Sequence, residues 1–446
     1  MIFTRPFRKP FWIISSFFKK HKRLILITTS IGAFLFFFVK NLVPFIPQPK
    51  PHLKIGIIGQ YTLQTLPLDI ARLLSKGLTQ ANEAGEITPD MAQSWEILEE
   101  ETVYQLNLQP NLFWRDNTPV VSSDINLNIS DVDITYLDDL TIQFKLKEPF
   151  SPFLSVLSQP ILKNNTIGAG QYVVKKSKYK NNYLKELKLL GLHNNITYRF
   201  YPSQQAAWTG FKLGEVDQLK NLLTNPLDEK WSAKVKLQES TTYNQYIAIL
   251  FNLNHEKLAV KSLRQALAYA LESKNPDSSR ALTPINPQSW AFNSQVKTYD
   301  YSPQSAQELF TKAQEEASIS GKLELTLGTS QSFLDLAESI KQSWEKTLDI
   351  QVNVKIINSI QDDYQILLVA QKIPLDPDQH ALWHSTQSTN ITHYSNLKVD
   401  KLLEDGRKIS DQKKRQEIYY DFQKFLLEDS PAIFLMHPKT YTIERK

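Results

Sequence analysis

The longest uncharged stretch of the chain lies near its N-terminus and predicts a membrane-spanning helix. Residues 24–39 (LILITTSIGAFLFFFV) carry no charge for sixteen positions, Lys40 follows, and apolar residues resume at 42–46. A spanning helix needs about 20 mostly apolar residues and tolerates a lysine near its end, so we expect a transmembrane anchor at 24–43. Seven Lys or Arg residues and no acid precede it, which predicts a basic cytoplasmic tail at 1–23 and an extracytoplasmic C-terminal part.

The alternative for this segment is a cleavable signal peptide, which has a shorter apolar core and small residues before its cleavage site. After position 39 the chain reads KNLVPFIPQPKP, without an Ala-x-Ala pattern, so an uncleaved anchor is the preferred interpretation. A second apolar patch at 11–18 is too short to span and suits the inner membrane surface. Four prolines between positions 44 and 51 predict a stiff linker at 44–51.

Beyond the linker, the apolar positions follow two different periods. Positions 52–59 (HLKIGIIG) have the composition of a buried strand. Farther along, apolar residues alternate at 323–327, keep helical spacing at 336–348 and alternate again at 350–356. Strand, helix and strand in this order predict a βαβ unit with parallel strands. We therefore expect an α/β fold.

The stretch 366–408 has the pattern of a ligand-carrying segment. An apolar run at 366–369 predicts a buried strand, a polar loop rich in aromatic residues follows, and 399–408 has the spacing of an amphipathic helix. Ligand sites in α/β proteins commonly lie on loops that follow a strand's carboxyl end. We expect the loop at 373–396 to form one wall of a ligand site.

Charge and cysteine content exclude several classes of function. The net charge is +5, but 44 of the 51 basic residues and all 46 acidic residues lie beyond position 23. The folded part is therefore close to neutral, which argues against nucleic acid as a partner. The chain has no cysteine, which excludes disulfides, thiolate catalysis, Cys-ligated zinc and acylation of an N-terminal Cys.

Ten short motifs follow one another along the part of the chain beyond the linker. They are GEITP at 85–89, SW at 94–95, WRDN at 114–117, RFY at 199–201, FN at 251–252, RQAL at 264–267, DPD at 376–378, N at 390, YSN at 394–396 and DKLL at 400–403. In this order they resemble the extracellular solute-binding proteins of family five, the oligopeptide, dipeptide and nickel group. Asn117 replaces a family glycine, and the segment after Asp124 is short, which implies a trimmed second lobe.

The resemblance implies a fold and a function. The implied fold is periplasmic-binding-protein-like, type II, cluster C, with two or three lobes and a hinge. Lobe I would comprise about 52–66, 164–245 and 431–446, a trimmed lobe II about 67–163, and lobe III about 246–430. Such a protein captures a solute between its lobes for an ABC importer. The expected partners are a short peptide or other small solute, the permease subunits and, through the anchor, the lipid bilayer.

The resemblance and the aromatic loops suggest five ligand-binding residues, which are Trp290, Asp376, Trp383, Asn390 and Tyr394. In peptide-binding members an acidic residue just before the DPD-like turn holds the α-amino group of the ligand, and that position falls at Ile373 here. Either the acid is missing or Asp376 takes its place after a local shift. For the large aromatic residues, core packing is the alternative role.

The sequence carries no catalytic motif. It has no GxSxG, HExxH or Walker pattern, and its paired carboxylates lie in hydrophilic surroundings, so we expect no enzyme activity and no cofactor. The spacing of Asp376, Asp378, His380 and His384 could suit a divalent metal. The same residues suit an ordinary turn, and we expect no metal site.

Two other functions stay open at this stage. A tethered receptor need not hand its ligand over, so the anchor also fits a peptide- or polymer-binding sensor or scaffold that is not coupled to transport. An anchored hydrolase would need a poised pair of carboxylates, which the sequence does not show.

Overall fold

The computed structural model describes residues 5–42, 50–163, 167–272, 279–357 and 364–446. The chain divides into two compact units, Met1–Pro51 and His52–Lys446. Every hydrophobic core cluster of the described residues lies within the second unit. This unit therefore carries a complete set of cores and is expected to fold without the first.

The first unit is a single helix, α1 (Arg5–Leu42), of 38 residues. Its candidate membrane span is Ser15–Phe38, which is 24 residues long. The span begins earlier than the predicted anchor at 24–43, because the apolar patch at 11–18 continues into the same helix. Thr28 and Thr29 donate hydrogen bonds to carbonyls one turn back, so their polar groups are satisfied within the helix. Residues 43–49, with most of the predicted linker, lie outside the described residues.

The second unit contains all the strands of the described residues. These are β1 (His52–Ile58), β2 (Thr79–Ala81), β3 (Ile87–Pro89), β4 (Ala92–Leu98), β5 (Val103–Leu108), β6 (Val132–Tyr136), β7 (Thr141–Leu146), β8 (Tyr172–Lys180), β9 (Tyr183–Gly191), β10 (Asn195–Tyr201), β11 (Gln218–Leu222), β12 (Val235–Thr241), β13 (Gln245–Phe251), β14 (Glu324–Thr329), β15 (Gln351–Ile356), β16 (Ile366–Lys372), β17 (Ala432–Met436) and β18 (Lys439–Arg445).

Its helices cover the faces of these sheets. They are α2 (Leu68–Leu74), α3 (Phe153–Val156), α4 (Gln204–Lys212), α5 (Glu229–Ser232), α6 (Glu256–Ala259), α7 (Lys261–Tyr269), α8 (Pro303–Glu316), α9 (Leu334–Leu348), α10 (His380–Trp383), α11 (Leu397–Lys408) and α12 (Gln412–Asp429). Two short 3₁₀ turns lie at Ser122–Asp124 and Gln331–Phe333.

Three sheets define three lobes. Lobe I is built on the seven-stranded sheet β12-β18-β11-β1-β10-β9-β8, lobe II on the antiparallel sheet β4-β5-β7-β6 with the β2–β3 hairpin, and lobe III on the sheet β15-β14-β16-β13-β17. In lobe III, β14 runs parallel to β15 with α9 between them in sequence. This is the βαβ unit that the apolar periods predict, and the α/β class is confirmed.

Two segments, β17 and α2, lie in different lobes from those that the sequence predicted. β17 was placed in lobe I, but it pairs with β13, and its Ile433 and Leu435 are buried in the lobe III core. α2 was placed in lobe II, but its Ile70 and Leu74 pack in the core of the lobe I sheet. Both segments are short apolar runs, and the sheet that buries such a run is decided by distant pairing partners.

A buried arginine ties the helices of lobe III together. Arg264 on α7 is 4% exposed, and its guanidinium donates to the carbonyls of Asp429, at 2.6 Å, and Ser430, at 3.1 Å. It also donates to the carbonyl of Leu258 on α6. These carbonyls lie at helix ends and lack partners within their helices. Burial lowers the pKa of Arg264 to about 10. Its role is structural.

Candidate ligand cleft

A cavity of about 340 Å³ opens where the three lobes meet. Its walls come from α2, the β2–β3 turn, the β12–β13 connection and two lobe III loops, and the lining includes Arg72, Glu83, Asn221, residues 240–244, Asn286, Gln288, Ser289, Ile373, Leu375 and Pro377. We call this cavity the cleft. It lies at the two crossings between lobes I and III, β12 to β13 and β17 to β18, where a hinge has to lie.

The segment after β16 lies in the cleft, as expected for a loop at a strand's carboxyl end. Ile373 donates its amide to the carbonyl of Asn244, at 2.8 Å, which fixes this loop against the β12–β13 crossing. Of the predicted wall at 373–396, only positions between 373 and 377 line the cleft. The remainder turns away into lobe III.

Only two of the described residues that line the cleft carry a charge, Arg72 and Glu83. Neither forms a salt bridge with any described residue. The Arg72 Nη2 atom is buried and has no hydrogen-bond partner, whereas the Glu83 side chain is exposed. The Arg72 side chain as a whole is half-buried, but a buried donor without an acceptor is costly. This arrangement therefore favours an acceptor group on the ligand, such as a carboxylate, as the missing partner.

The β2–β3 turn holds Glu83 in place. The Asn82 Oδ1 atom accepts hydrogen bonds from the amides of Ala84 and Glu86, both at 3.0 Å. Gly85 has φ +77°, and a Cβ there would lie 2.8 Å from the carbonyl oxygen of Leu375. Only glycine combines this backbone conformation with so close an approach to lobe III. The turn therefore docks directly on the wall of the cleft.

Asp376 is already occupied by a protein partner. Its carboxylate forms a two-point ion pair with Arg415, at 2.6 and 3.1 Å, and it accepts the amide of Asp378 at 3.0 Å. Burial acts to lower the pKa of Arg415, but the Asp376 carboxylate and the Tyr419 hydroxyl together more than offset this, so that the pKa is raised. Because both oxygens serve Arg415, Asp376 is not free to replace the missing acid at Ile373, which is 8% exposed and apolar.

Trp290 lies at the junction of lobes II and III. Its amide donates to the carbonyl of Ala84 at 3.2 Å, and its indole N–H to the carbonyl of Gly85 at 3.4 Å. The Arg415 guanidinium lies 5.4 Å from the ring centroid, a distance typical of a cation–π contact. Trp290 thus secures the β2–β3 turn at the edge of the cleft.

The other three predicted site residues lie inside lobe III. Trp383 is 2% exposed and Asn390 and Tyr394 are 3% exposed. Trp383 packs against Phe434, with ring centroids 6.1 Å apart, and Asn390 donates to the carbonyl of Tyr394 at 2.8 Å. None of the three lines the cleft. These positions favour core packing, and ligand contact by these residues stays a prediction.

The Asp and His residues after β16 interact with other protein side chains. The rings of His380 and His384 stack with centroids 4.2 Å apart, and Asp378 pairs with Arg407 at 3.2 Å. Burial, assisted by Arg407, lowers the pKa of His380 to about 4. Within the described ranges, no group of three or more His, Asp or Glu residues is arranged to hold a metal ion.

A larger cavity, of about 800 Å³, lies between lobes II and III away from the hinge crossings. Lobes II and III are also joined by direct hydrogen bonds. Ser410 donates its amide and hydroxyl to the Glu101 carboxylate, at 2.8 and 2.7 Å, and the amide of Ser151 donates to the carbonyl of Arg407 at 2.6 Å. Of the charged residues that line this cavity, Asp131 pairs with Lys147 and Arg407 with Asp378. Glu148 and Lys408 have no salt bridge to any described residue.

The fold and the cleft define the class of lobed solute-binding proteins. Residues 126–393 match the family of bacterial extracellular solute-binding proteins, family 5 middle. Because the match covers more than half of the chain, the protein belongs to this family, as the order of its motifs predicted.

Individual relatives are distant but span most of the chain. The oligopeptide-binding protein AppA of Bacillus subtilis is 22% identical over 480 residues, covering 89% of this chain and 88% of that one. The ABC transporter substrate-binding protein CtaP of Listeria monocytogenes has a TM-score of 0.75 at 21% identity, covering 89% and 94%. NikZ of Campylobacter jejuni, solved with Ni(L-His), has a TM-score of 0.71 at 23% identity, again covering 89% and 94%. Their ligands differ, so the shared fold alone leaves the ligand open.

Proposed function

We propose that the protein captures a short peptide in the cleft and delivers it to an ABC importer. The family supports solute capture, and the names of relatives such as the oligopeptide-binding protein AppA support peptides. The observation that carries the proposal is the pair of unpaired charges in the cleft, Arg72 and Glu83. A short peptide with free ends carries one negative and one positive charge, which complements this pair.

The carboxylate of the ligand would meet Arg72. A guanidinium binds a carboxylate through two parallel hydrogen bonds, and the Arg72 Nη2 atom has no protein acceptor in the described structure. The α-amino group would meet Glu83, which is exposed and also lines the cleft. This would move amine recognition from the lobe III position occupied by Ile373 to the β2–β3 turn.

The size and lining of the cleft favour small ligands. Ligand sites typically enclose about 300–1,000 Å³, and the cleft, at about 340 Å³, is near the lower end. Backbone groups at 243–244 line the cleft, and hydrogen bonds to a backbone do not depend on the ligand's side chains. A dipeptide or tripeptide fits this description better than a long chain.

The remainder of the proposal concerns the membrane and chemistry. Helix α1 would act as an uncleaved anchor with its basic end in the cytoplasm, and the family is described as extracellular. The ligand would leave unchanged, because the two charges of the cleft lie on different lobes and serve to bind rather than to attack a bond. Permease subunits would be the next partners.

The test is calorimetry on the unit His52–Lys446 with three forms of one dipeptide: free, N-acetylated and C-terminally amidated. We expect both blocked forms to bind at least tenfold more weakly than the free form. Arg72→Gln should lose the preference for the free carboxylate only, and Glu83→Gln the preference for the free amine only.

Two exposed residues away from the cleft supply matched controls. Lys236→Gln and Glu100→Gln remove the same charges from solvent-exposed positions and should leave all three affinities unchanged. Equal affinity for free and blocked dipeptides in the wild type would contradict the roles of Arg72 and Glu83.

A further inference from the structure

The β8–β9 hairpin of lobe I, residues 172–191, concentrates positive charge at an edge of the protein. We call it the lysine ribbon. β8 is the edge strand of the seven-stranded sheet, with β9 as its neighbour on one side only. The ribbon holds six lysines, at 175, 176, 178, 180, 185 and 188, and one acid, Glu186. The ectodomain as a whole is close to neutral, so this concentration is local.

The charges of the ribbon are mostly uncompensated. Glu186 pairs with Lys178 at 2.9 Å and lies 3.8 Å from Lys188. The other four lysines, at 175, 176, 180 and 185, are exposed and have no salt bridge to any described carboxylate. Lys176 also lies directly opposite Lys188 in the strand register. Like charges in this arrangement destabilise a sheet, so the pairing does not serve the stability of the hairpin.

The tip of the ribbon adds exposed aromatic rings to the lysines. The turn is formed by Asn181 and Asn182, both with positive φ, as in a tight two-residue hairpin. Tyr179 and Tyr183 flank the turn and are 49% and 42% exposed. Tyrosine beside lysine is the combination found where proteins meet the headgroup region of a bilayer, because the ring is apolar and its hydroxyl is polar.

We propose that the lysine ribbon binds the surface of an anionic phospholipid bilayer, with Tyr179 and Tyr183 in the headgroup region. Each lysine near such a surface strengthens binding by about fivefold. The four unpaired lysines together are therefore sufficient for measurable adsorption at low salt. The candidate membrane span in α1 would place the chain at a bilayer.

A simpler role for edge lysines is protection against strand-to-strand aggregation. That role accounts for lysines on β8. It does not account for Lys185, which lies on the inner strand β9, or for two exposed tyrosines at the tip. Contact with a lipid surface accounts for all of these features.

The test is co-sedimentation of the unit His52–Lys446 with vesicles. The vesicles contain phosphatidylcholine alone or phosphatidylcholine with phosphatidylglycerol. We expect sedimentation with the anionic vesicles only, and its loss near 1 M salt, where screening reaches about 3 Å. Replacing Lys175 and Lys176 by glutamine should weaken binding about 25-fold, at about fivefold for each lysine. Tyr179→Ser with Tyr183→Ser should weaken it further without a change of net charge.

The matched control removes the same charge from another exposed site, Lys413→Gln with Lys414→Gln at the start of α12. It should bind anionic vesicles as the wild type does. Equal weakening in the control and ribbon variants would overturn the proposal, as would equal binding to neutral vesicles. So would binding to an anionic polysaccharide in place of vesicles. A further outcome would also overturn the proposal. If the ribbon variants aggregate but their monomers bind lipid as the wild type does, the lysines serve only to protect the edge strand.

Discussion

At the scale of single residues, burial distinguishes the residues that line the cleft from those that pack behind it. Asp376 and Trp383 are both nearly buried and engaged with protein partners. Arg72 and Glu83 line the cleft, and neither has a salt bridge to a described residue. Arg72 also lines an adjoining cavity. The Trp383 indole N–H is also buried without a hydrogen-bond partner, but Trp383 does not line the cleft. We therefore take the charged residues that line the cleft as the better indicators of the ligand.

Trp383 gives a direct test of this separation. Trp383→Ala should lower the free energy of unfolding by about 3–5 kcal/mol, because it opens a cavity in the lobe III core. The variant that remains folded should bind ligand with nearly wild-type affinity. Both quantities can be measured on one preparation, by urea unfolding and by calorimetry. A variant of normal stability with tenfold weaker binding would instead place Trp383 in the ligand site.

The sequence predicted part of this site. The DPD-like turn at 376–378 and the apolar position at Ile373 were recognisable from motif order, and 373–377 does border the cleft. The aromatic loop was assigned to the site because it holds more rings than a connection needs. Its burial depends on how α11 and α12 pack over it, which is set by distant contacts. Arg72 lies on a short helix without a motif, so no local signal marked it.

At the scale of elements, the β2–β3 turn connects the cleft to lobe closure. It presents Glu83, it receives hydrogen bonds from Trp290, and its Gly85 lies against the backbone of Leu375. A change in this turn should therefore alter both the distance between lobes II and III and the affinity for the ligand.

Gly85→Ala tests this connection. The added Cβ would lie 2.8 Å from the Leu375 carbonyl oxygen, so the lobes would have to separate slightly, and ligand affinity should fall at least tenfold. The matched control is Gly321→Ala, which has a similar positive φ of +81° but nothing within 4 Å. Both variants should lose about 1 kcal/mol of stability from backbone strain. If calorimetry shows the same affinity for the two, the contact does not control closure.

Elements differed in how well the sequence predicted them. The βαβ unit of lobe III was predicted correctly, because the spacing of apolar residues changes locally from strand to helix and back. The positions of β17 and α2 were wrong because both are short apolar segments whose partners, β13 and the lobe I sheet, are far away in sequence. Lobe II contains one four-stranded sheet, and that it is trimmed relative to the family stays a prediction.

At the scale of the whole molecule, this is a family-five protein whose lobes enclose a small cleft, lined by one basic and one acidic residue without salt bridges to described residues. We propose that the ligand is selected by its two charged ends. The candidate membrane helix and the lysine ribbon belong to a separate question, that of where capture takes place. The central claim is that a short peptide is bound and released unchanged.

The most direct test is equilibrium dialysis of the unit His52–Lys446 against a pool of dipeptides and tripeptides, followed by mass spectrometry of both compartments. We expect saturable enrichment of intact peptides, at one per protein, in the wild type. This enrichment should be lost in Arg72→Gln and unchanged in the control Lys236→Gln. No enrichment of any peptide, equal enrichment in Arg72→Gln, or the appearance of cleaved products would contradict it.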